Sequence, residues 1–194
     1  MAIWLVLFIT LFTVGESQTT NSFNQTDFEE AMTDMRSKSY YGFVILLKIL
    51  NSQPNSLQTN DLTFLMPSDE ELSQYSITPG QIHDFIFSHS IPTSLVLNHL
   101  LHFPNGSVVP SSLPSRVISI TNSGRSGLFV NNAKIVTPNV CQTSFIRCHG
   151  ISATLTFEND VPFRRAQDPK DPPKGSDVPH PTRSVRKMSI PPLY

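Results

Sequence analysis

The residues with nucleophilic or acid–base potential fall into a few short stretches. "NDLTFLMPSDEEL", residues 60–72, places Ser68 and Asp69 directly after an apolar run that breaks at Pro67. A serine nucleophile needs a base in reach and usually a strained, glycine-flanked turn such as G-x-S-x-G. No glycine flanks Ser68. Ser68 followed three residues later by Glu71 is instead the S-x-x-E capping box that starts a helix. Asp69, Glu70 and Glu71 would add negative charge at the positive end of that helix's dipole. Capping is the favoured reading of Ser68 and Asp69. The rival is a small secreted hydrolase using Ser68 and a histidine, which requires a histidine nitrogen about 2.6–3.2 Å from the serine oxygen.

The histidines offer little more. His99 and His102 form an H-x-x-H pair that shares one face of a helix. Two ligands are not a site, and no nearby acid completes a zinc-protease spacing. His99 sits amid leucines, which predicts a buried or half-buried imidazole bonded to backbone. His83 and His89, six apart, do not share a face, and His180 lies near the C-terminus. Cys141 and Cys148 are the only two cysteines. In an oxidising compartment a disulfide is favoured, contributing about 2–3 kcal/mol for so small a loop. Reduced thiols on neighbouring strands are the alternative. A zinc site with His149 is disfavoured, because Cys148 and His149 would face opposite sides of a strand. No cofactor or metal is expected.

The elements that must position these residues follow from hydrophobic spacing. Phe28, Met32 and Met35, then Phe43, Val44, Leu47, Ile49 and Leu50, recur at helical intervals. A strand is predicted at 62–66. After it come a helix opened by Ser68, a second start at Thr78-Pro79-Gly80-Gln81 and a third helical run after Pro92. Beyond residue 105 the chain breaks into short Val, Ile, Thr and Phe runs separated by Asn, Gly, Ser and Pro, which read as strands and tight turns. Helices first and strands later predict an α+β fold.

Both ends differ from this middle. "MAIWLVLFITLFTVG" is too short for a comfortable span and suits a signal peptide over 1–17, with Gly15 and Ser17 at the −3 and −1 positions. Residues 18–25 read as a linker and 26–160 as the domain. Residues 161–194 hold eight of the 16 prolines, with seven Lys or Arg against three Asp, a net +4. That composition predicts a disordered basic tail, and no apolar stretch of the lipid-anchor kind closes it. The expected product is therefore secreted, without a stable membrane anchor after cleavage. Asn24-Gln25-Thr26 and Asn105-Gly106-Ser107 are glycosylation sequons consistent with that route. A formal net charge of −1 gives no reason to expect nucleic acid as a partner. Arg164-Arg165 and Arg186-Lys187 in the tail could contact acidic polysaccharide, against a simpler reading as solvated charges.

Three stretches, in order, resemble the fasciclin-type domain. "LTFLMPSDEEL" is similar to its first box, T-x-F-A-P-T-D-x-A-F: Thr63, Pro67 and Asp69 match, while Leu65, Met66 and Ser68 replace Phe, Ala and Thr. "LNHLLHF" resembles the middle aromatic-His motif through His99, with Asn98 in the aromatic's place. "CHGISATLTF" resembles the second box, V-H-G-I-D-x-V-L, through His149, Gly150, Ile151 and Leu155. The set spans residues 26–158. The resemblance implies a β-sandwich wedge packed against helices, and a non-enzymatic extracellular role in adhesion or in matrix or cell-wall organisation. Its partners would be wall or matrix polysaccharide or protein. The nearest likeness is to plant fasciclin-like arabinogalactan proteins. However, Ala-Pro, Ser-Pro and Thr-Pro repeats are lacking, the Thr-Pro pairs at 78–79 and 137–138 lying inside the domain.

Overall fold

A computed structural model describes residues 24–53, 57 and 61–157. The expected signal peptide, most of the expected linker and the expected basic tail lie outside the described residues.

Helix α1, Gln25–Ser37, begins at Asn24, whose side-chain oxygen accepts from the amides of Thr26 and Asp27. This satisfies donors that the first turn leaves open. The helix thus starts inside the predicted linker, and buries Phe28, Ala31, Met32 and Met35. Ser39 turns the chain with φ +65, and α2, Tyr41–Asn51, follows, burying Phe43, Val44, Leu47 and Leu50. Its cap residue Tyr40 makes no side-chain cap bond. Its first amides are satisfied from far along the chain, as described below.

Strand β1, Leu62–Pro67, is buried at every position. Three short helical pieces and a two-residue strand come next: α3 Asp69–Ser73, a 3₁₀ turn Pro79–Gln81, α4 Ile82–Ser88, and β2 Ser90–Ile91. Helix α5, Leu97–His102, leads to β3 Ser107–Pro110, β4 Val117–Asn122, β5 Leu128–Val130, β6 Ala133–Gln142 and β7 Ile146–Ile151. A short 3₁₀ turn, Gly124–Ser126, joins β4 to β5.

The strands form one hydrogen-bonded order, β2-β1-β7-β6-β5-β4-β3. Every neighbouring pair is antiparallel except β1 and β7, which run parallel from Leu62 opposite Ile146 to Pro67 opposite Ile151. Because β1 is the first strand in the chain and β7 the last, this pair joins the two ends of the chain's path through the sheet. Strands buried on both faces lack polar alternation, which is why "LTFLM" reads as continuous apolar sequence.

β6 serves both parts of the sheet. Its start pairs with β5, and the rest pairs with β7 after register shifts between Ile135 and Thr137 and between Thr137 and Cys141. Such irregularities bend and twist a strand. As a result Leu65 and Ile151 of the parallel pair share one apolar cluster with Ile118, Ile120 and Val130 of the β3–β6 part. That is the wedge-like closure implied by the family resemblance. The other cluster lies between the helices and the opposite side of β1 and β7, where Phe43 and Phe64 meet edge to face at 5.9 Å. The architecture is α+β, with the helices preceding most of the sheet.

Candidate functional site

Several of the residues singled out from the sequence lie on or beside β1 and β7, and four of these, Thr63, Ser68, Asp69 and His149, hold backbone. Ser68 is the N-cap of α3, its hydroxyl oxygen accepting from the Glu71 amide at 3.2 Å. The Glu71 carboxylate faces Gln74, so the reciprocal half of the capping box is not made. Asp69 does something the local sequence did not announce. Its two oxygens accept from the amides of Tyr41 at 3.2 Å and Gly42 at 2.8 Å, capping α2 across 27 and 28 residues. Glycine at 42 eases this approach: a Cβ there would stand 3.2 Å from an Asp69 oxygen and 3.1 Å from Leu72, so either side chain would have to shift by a few tenths of an ångström.

Thr63 and His149 close on one residue. The Thr63 hydroxyl donates to the Thr93 carbonyl at 2.6 Å and accepts from the Leu95 amide at 2.8 Å. His149 Nε2 reaches the Leu95 carbonyl at 2.8 Å, and its Nδ1 lies 3.1 Å from the Asn139 amide. An amide N–H can only donate, so Nδ1 is the acceptor and the proton sits on Nε2. Leu95 therefore has both backbone groups satisfied by side chains from adjacent strands. Asn139, held at φ +53 within the irregular part of β6, extends the chain of bonds by accepting from the Leu97 amide at 3.0 Å.

His89 makes a second clamp with the opposite tautomer. Its Nε2 accepts from the Leu155 amide at 2.9 Å, while Nδ1 donates toward the Phe85 carbonyl at 2.9 Å. Burial lowers its pKa to about 4; the hydrogen bond to Phe85 opposes this and the positive charge of Arg116 adds to it. Burial lowers the His149 pKa as well, partly offset by its bond to Leu95. Both rings are neutral structural groups. No hydrogen bond among the described residues joins Ser68 to a histidine, and its oxygen is engaged as a cap.

Gly150 and Ile151 complete the second box by packing. A Cβ at Gly150 would overlap the Tyr40 hydroxyl and lie 2.7 Å from Cζ of that ring, so glycine lets Tyr40 cover the parallel pair. Ile151 is buried opposite Pro67 and Ile135. Cys141 and Cys148 are directly opposed across β6 and β7 and are disulfide-bonded. Both belong to the helix-facing cluster, whereas His149 bonds to Leu95 of the other. The zinc alternative fails on that opposition.

One expectation is corrected. His99 is exposed, not buried, although its neighbours are leucines. Helix α5 is only six residues long and turns Leu100 alone fully inward, leaving Leu101 43% exposed and His102 outside as well. The buried histidine of this region is His89, which its position at the end of α4 did not advertise. Asp27 was missed too: its carboxylate accepts from the Phe145 amide at 3.1 Å, tying α1 to the β6–β7 turn. Its helix-start position masks that long-range role.

The two sequon asparagines are exposed, with Oδ1 held and the amide nitrogen free of a described partner. Asn24 caps α1, and Asn105 accepts from the Asn122 amide at 2.9 Å. Among the described residues no group of His, Cys, Asp and Glu is arranged to hold a metal ion, and no helix is long and apolar enough to cross a membrane.

No family model matches the chain. Among curated proteins it is similar to fasciclin-like arabinogalactan protein 19 of Arabidopsis thaliana, with 28% identity over 115 residues, covering 52% of this chain and 46% of that protein. A putative fasciclin-like arabinogalactan protein 20 of the same plant is 24% identical over 71% of this chain and 32% of its own length. A FAS1 domain-containing protein of Selaginella moellendorffii is 24% identical over 70% of this chain and 53% of its own. The chain thus spans between a third and about half of the length of these relatives. Among solved structures, a FAS1 domain pair from the insect cell adhesion molecule fasciclin I aligns with 61% of this chain and 44% of its own. Its TM-score of 0.39 and 16% identity are too slight to build on.

Proposed function

This chain carries a fasciclin-type domain, and on that premise we propose that it is a secreted, non-enzymatic module for adhesion or for contact with the extracellular matrix or cell wall. The observation that carries this reading is the convergence of the family boxes on backbone clamps: the buried Thr63 and His149 on Leu95, and the half-buried Asp69 on α2. Side chains engaged in this way hold a scaffold, and the contacts that define a binding module must then lie on the surface around it. Relatives named for fasciclin and arabinogalactan support the extracellular setting. The apolar leader and the two sequons agree with it, and we assign N-glycans to Asn24 and Asn105. Both can carry one, because the glycan joins the amide nitrogen and leaves the structural bond of Oδ1 intact.

The test coats a surface with the mature secreted protein and measures retention of isolated cell-wall fragments, with reduced and unfolded protein as the control. Retention only by the folded chain is expected. Absence of retention at moderate salt overturns the reading. So does hydrolysis of an ester or glycoside that is lost in Ser68→Ala.

A further inference from the structure

Charge is divided unevenly between the two parts of the domain. Every Asp and Glu of the described residues lies at or before Asp84. Residues 85–157 contain none, yet carry Arg116, Arg125, Lys134 and Arg147. The acid-free stretch contains strands β2–β7.

Within it, two cations share one corner. Arg125 is exposed on the 3₁₀ turn between β4 and β5. The Lys134 side chain lies over Gly127, where a Cβ would come within 3.3 Å of its Nζ. Lys134 stands opposite Phe129, which stands opposite Thr121, so an alkylammonium, a half-buried ring and a hydroxyl form one row across the outward side of β4–β6. Val117 and Val136 are exposed to 55% and 51% on β4 and β6, and Val108 on the adjoining β3, opposite Ser119, to 60%. The last described residues lie elsewhere: Asn131 and Asn132, in the β5–β6 turn, bond to Thr156, and Phe157, with Arg116 stacked over it at 4.7 Å, packs against the inward cluster. In sequence, Glu158 and Asp160 follow directly, and residues 161–194 carry a net +4.

We propose that the outward face of β4–β6, centred on Arg125 and Lys134, is a docking surface for a carboxylated polysaccharide. The inference rests on the extracellular reading above and names its partner. A planar guanidinium matches a carboxylate fork, and an ammonium supplies a point charge beside it. Thr121 and Ser119 offer hydroxyls to a sugar's polar edge, and the Phe129 ring and the valines offer cover to its C–H face. Strands β4–β6 themselves carry no Asp or Glu to repel a polyanion, so weak exposed charges add along a repeating chain.

The experiment measures binding of the full secreted chain to immobilised polygalacturonate, with a neutral galactan and single-stranded DNA as comparators, at about 50 and about 300 mM salt. Tight binding to polygalacturonate at the lower salt, weakened at the higher, is expected. R125Q/K134Q, with an unchanged melting temperature, should bind roughly tenfold more weakly, the sum of two exposed charge contacts. R125Q alone, about threefold weaker, serves if the double variant folds poorly. Undiminished binding by these variants, equal affinity for the neutral polymer, or equal affinity for DNA overturns the proposal. Protein that retains wall fragments but ignores polygalacturonate refutes this surface and leaves the adhesion reading standing. Protein that does neither refutes both.

Discussion

The parallel pair β1–β7 and the outward face of β4–β6 belong to one sheet and are built on opposite rules. On β1 and β7 the polar residues Thr63 and His149 are fully buried and bonded to backbone from another segment. On β4–β6 the outward Ser119, Thr121, Phe129 and Lys134 are half-exposed. The first region contains most of the sequence that resembles a known family; the second contains none of it. The difference teaches that the family boxes locate the scaffold, and that partner choice must be sought where they are silent.

The largest expected effect comes from breaking the clamp. His149→Leu keeps much of the volume but strands the Leu95 carbonyl and the Asn139 amide inside the fold, each a buried group whose lost bond costs about 1–3 kcal/mol. A total near 2–5 kcal/mol should appear in denaturant unfolding as a lower midpoint with little change in slope. Thr121→Ala on the outward face should change stability by less than about 0.5 kcal/mol. Equal effects at the two positions would erase the distinction between the regions.

Asp69→Ala should come next. It removes acceptors from the amides of Tyr41 and Gly42 without opening a cavity in either apolar cluster, and loss of a cap typically costs about 0.5–2 kcal/mol. Hydrogen exchange would place the damage: the first-turn amides of α2 should lose protection more than those of α3, whose own cap is Ser68. Faster exchange confined to α3 would mean that Asp69 acts only locally, as the sequence alone suggested.

What was legible in the sequence depended on how far apart the partners lie. Ser68 and Glu71 are three residues apart, so a capped helix start could be read directly, though only one leg of the box forms. Phe28, Met32 and Met35 announced α1 by spacing, and the β-rich character after residue 105 announced the strands. The α+β class followed from both. Asp69 was read as local helix charge because its true partners are 27 and 28 residues upstream. His99 was expected inside because leucines surround it, yet α5 is too short to bury more than Leu100 fully. His89 and Asn139 gave no signal at all. Their roles arise where α4 ends against Leu155 and where β6 shifts register, and neither place exists until the sheet closes.

The smallest effect is pH dependence, and it sharpens the comparison because only the scaffold histidines are buried. His89 titrates at about 4 in the folded protein and near 6.5 unfolded. Below about pH 6.5 the unfolded chain binds a proton that the folded one refuses, so stability is present above that pH and declines as pH falls toward about 4. Between pH 7 and 6 this amounts to about 0.7 kcal/mol for His89, and the lowered His149 pKa acts in the same direction. Melting temperatures should therefore fall as pH is lowered from about 7 to about 6. His89→Gln, which has no imidazole to keep neutral, should melt lower throughout but lose less over that range. An equal fall in that variant would move the acid sensitivity away from the His89 clamp.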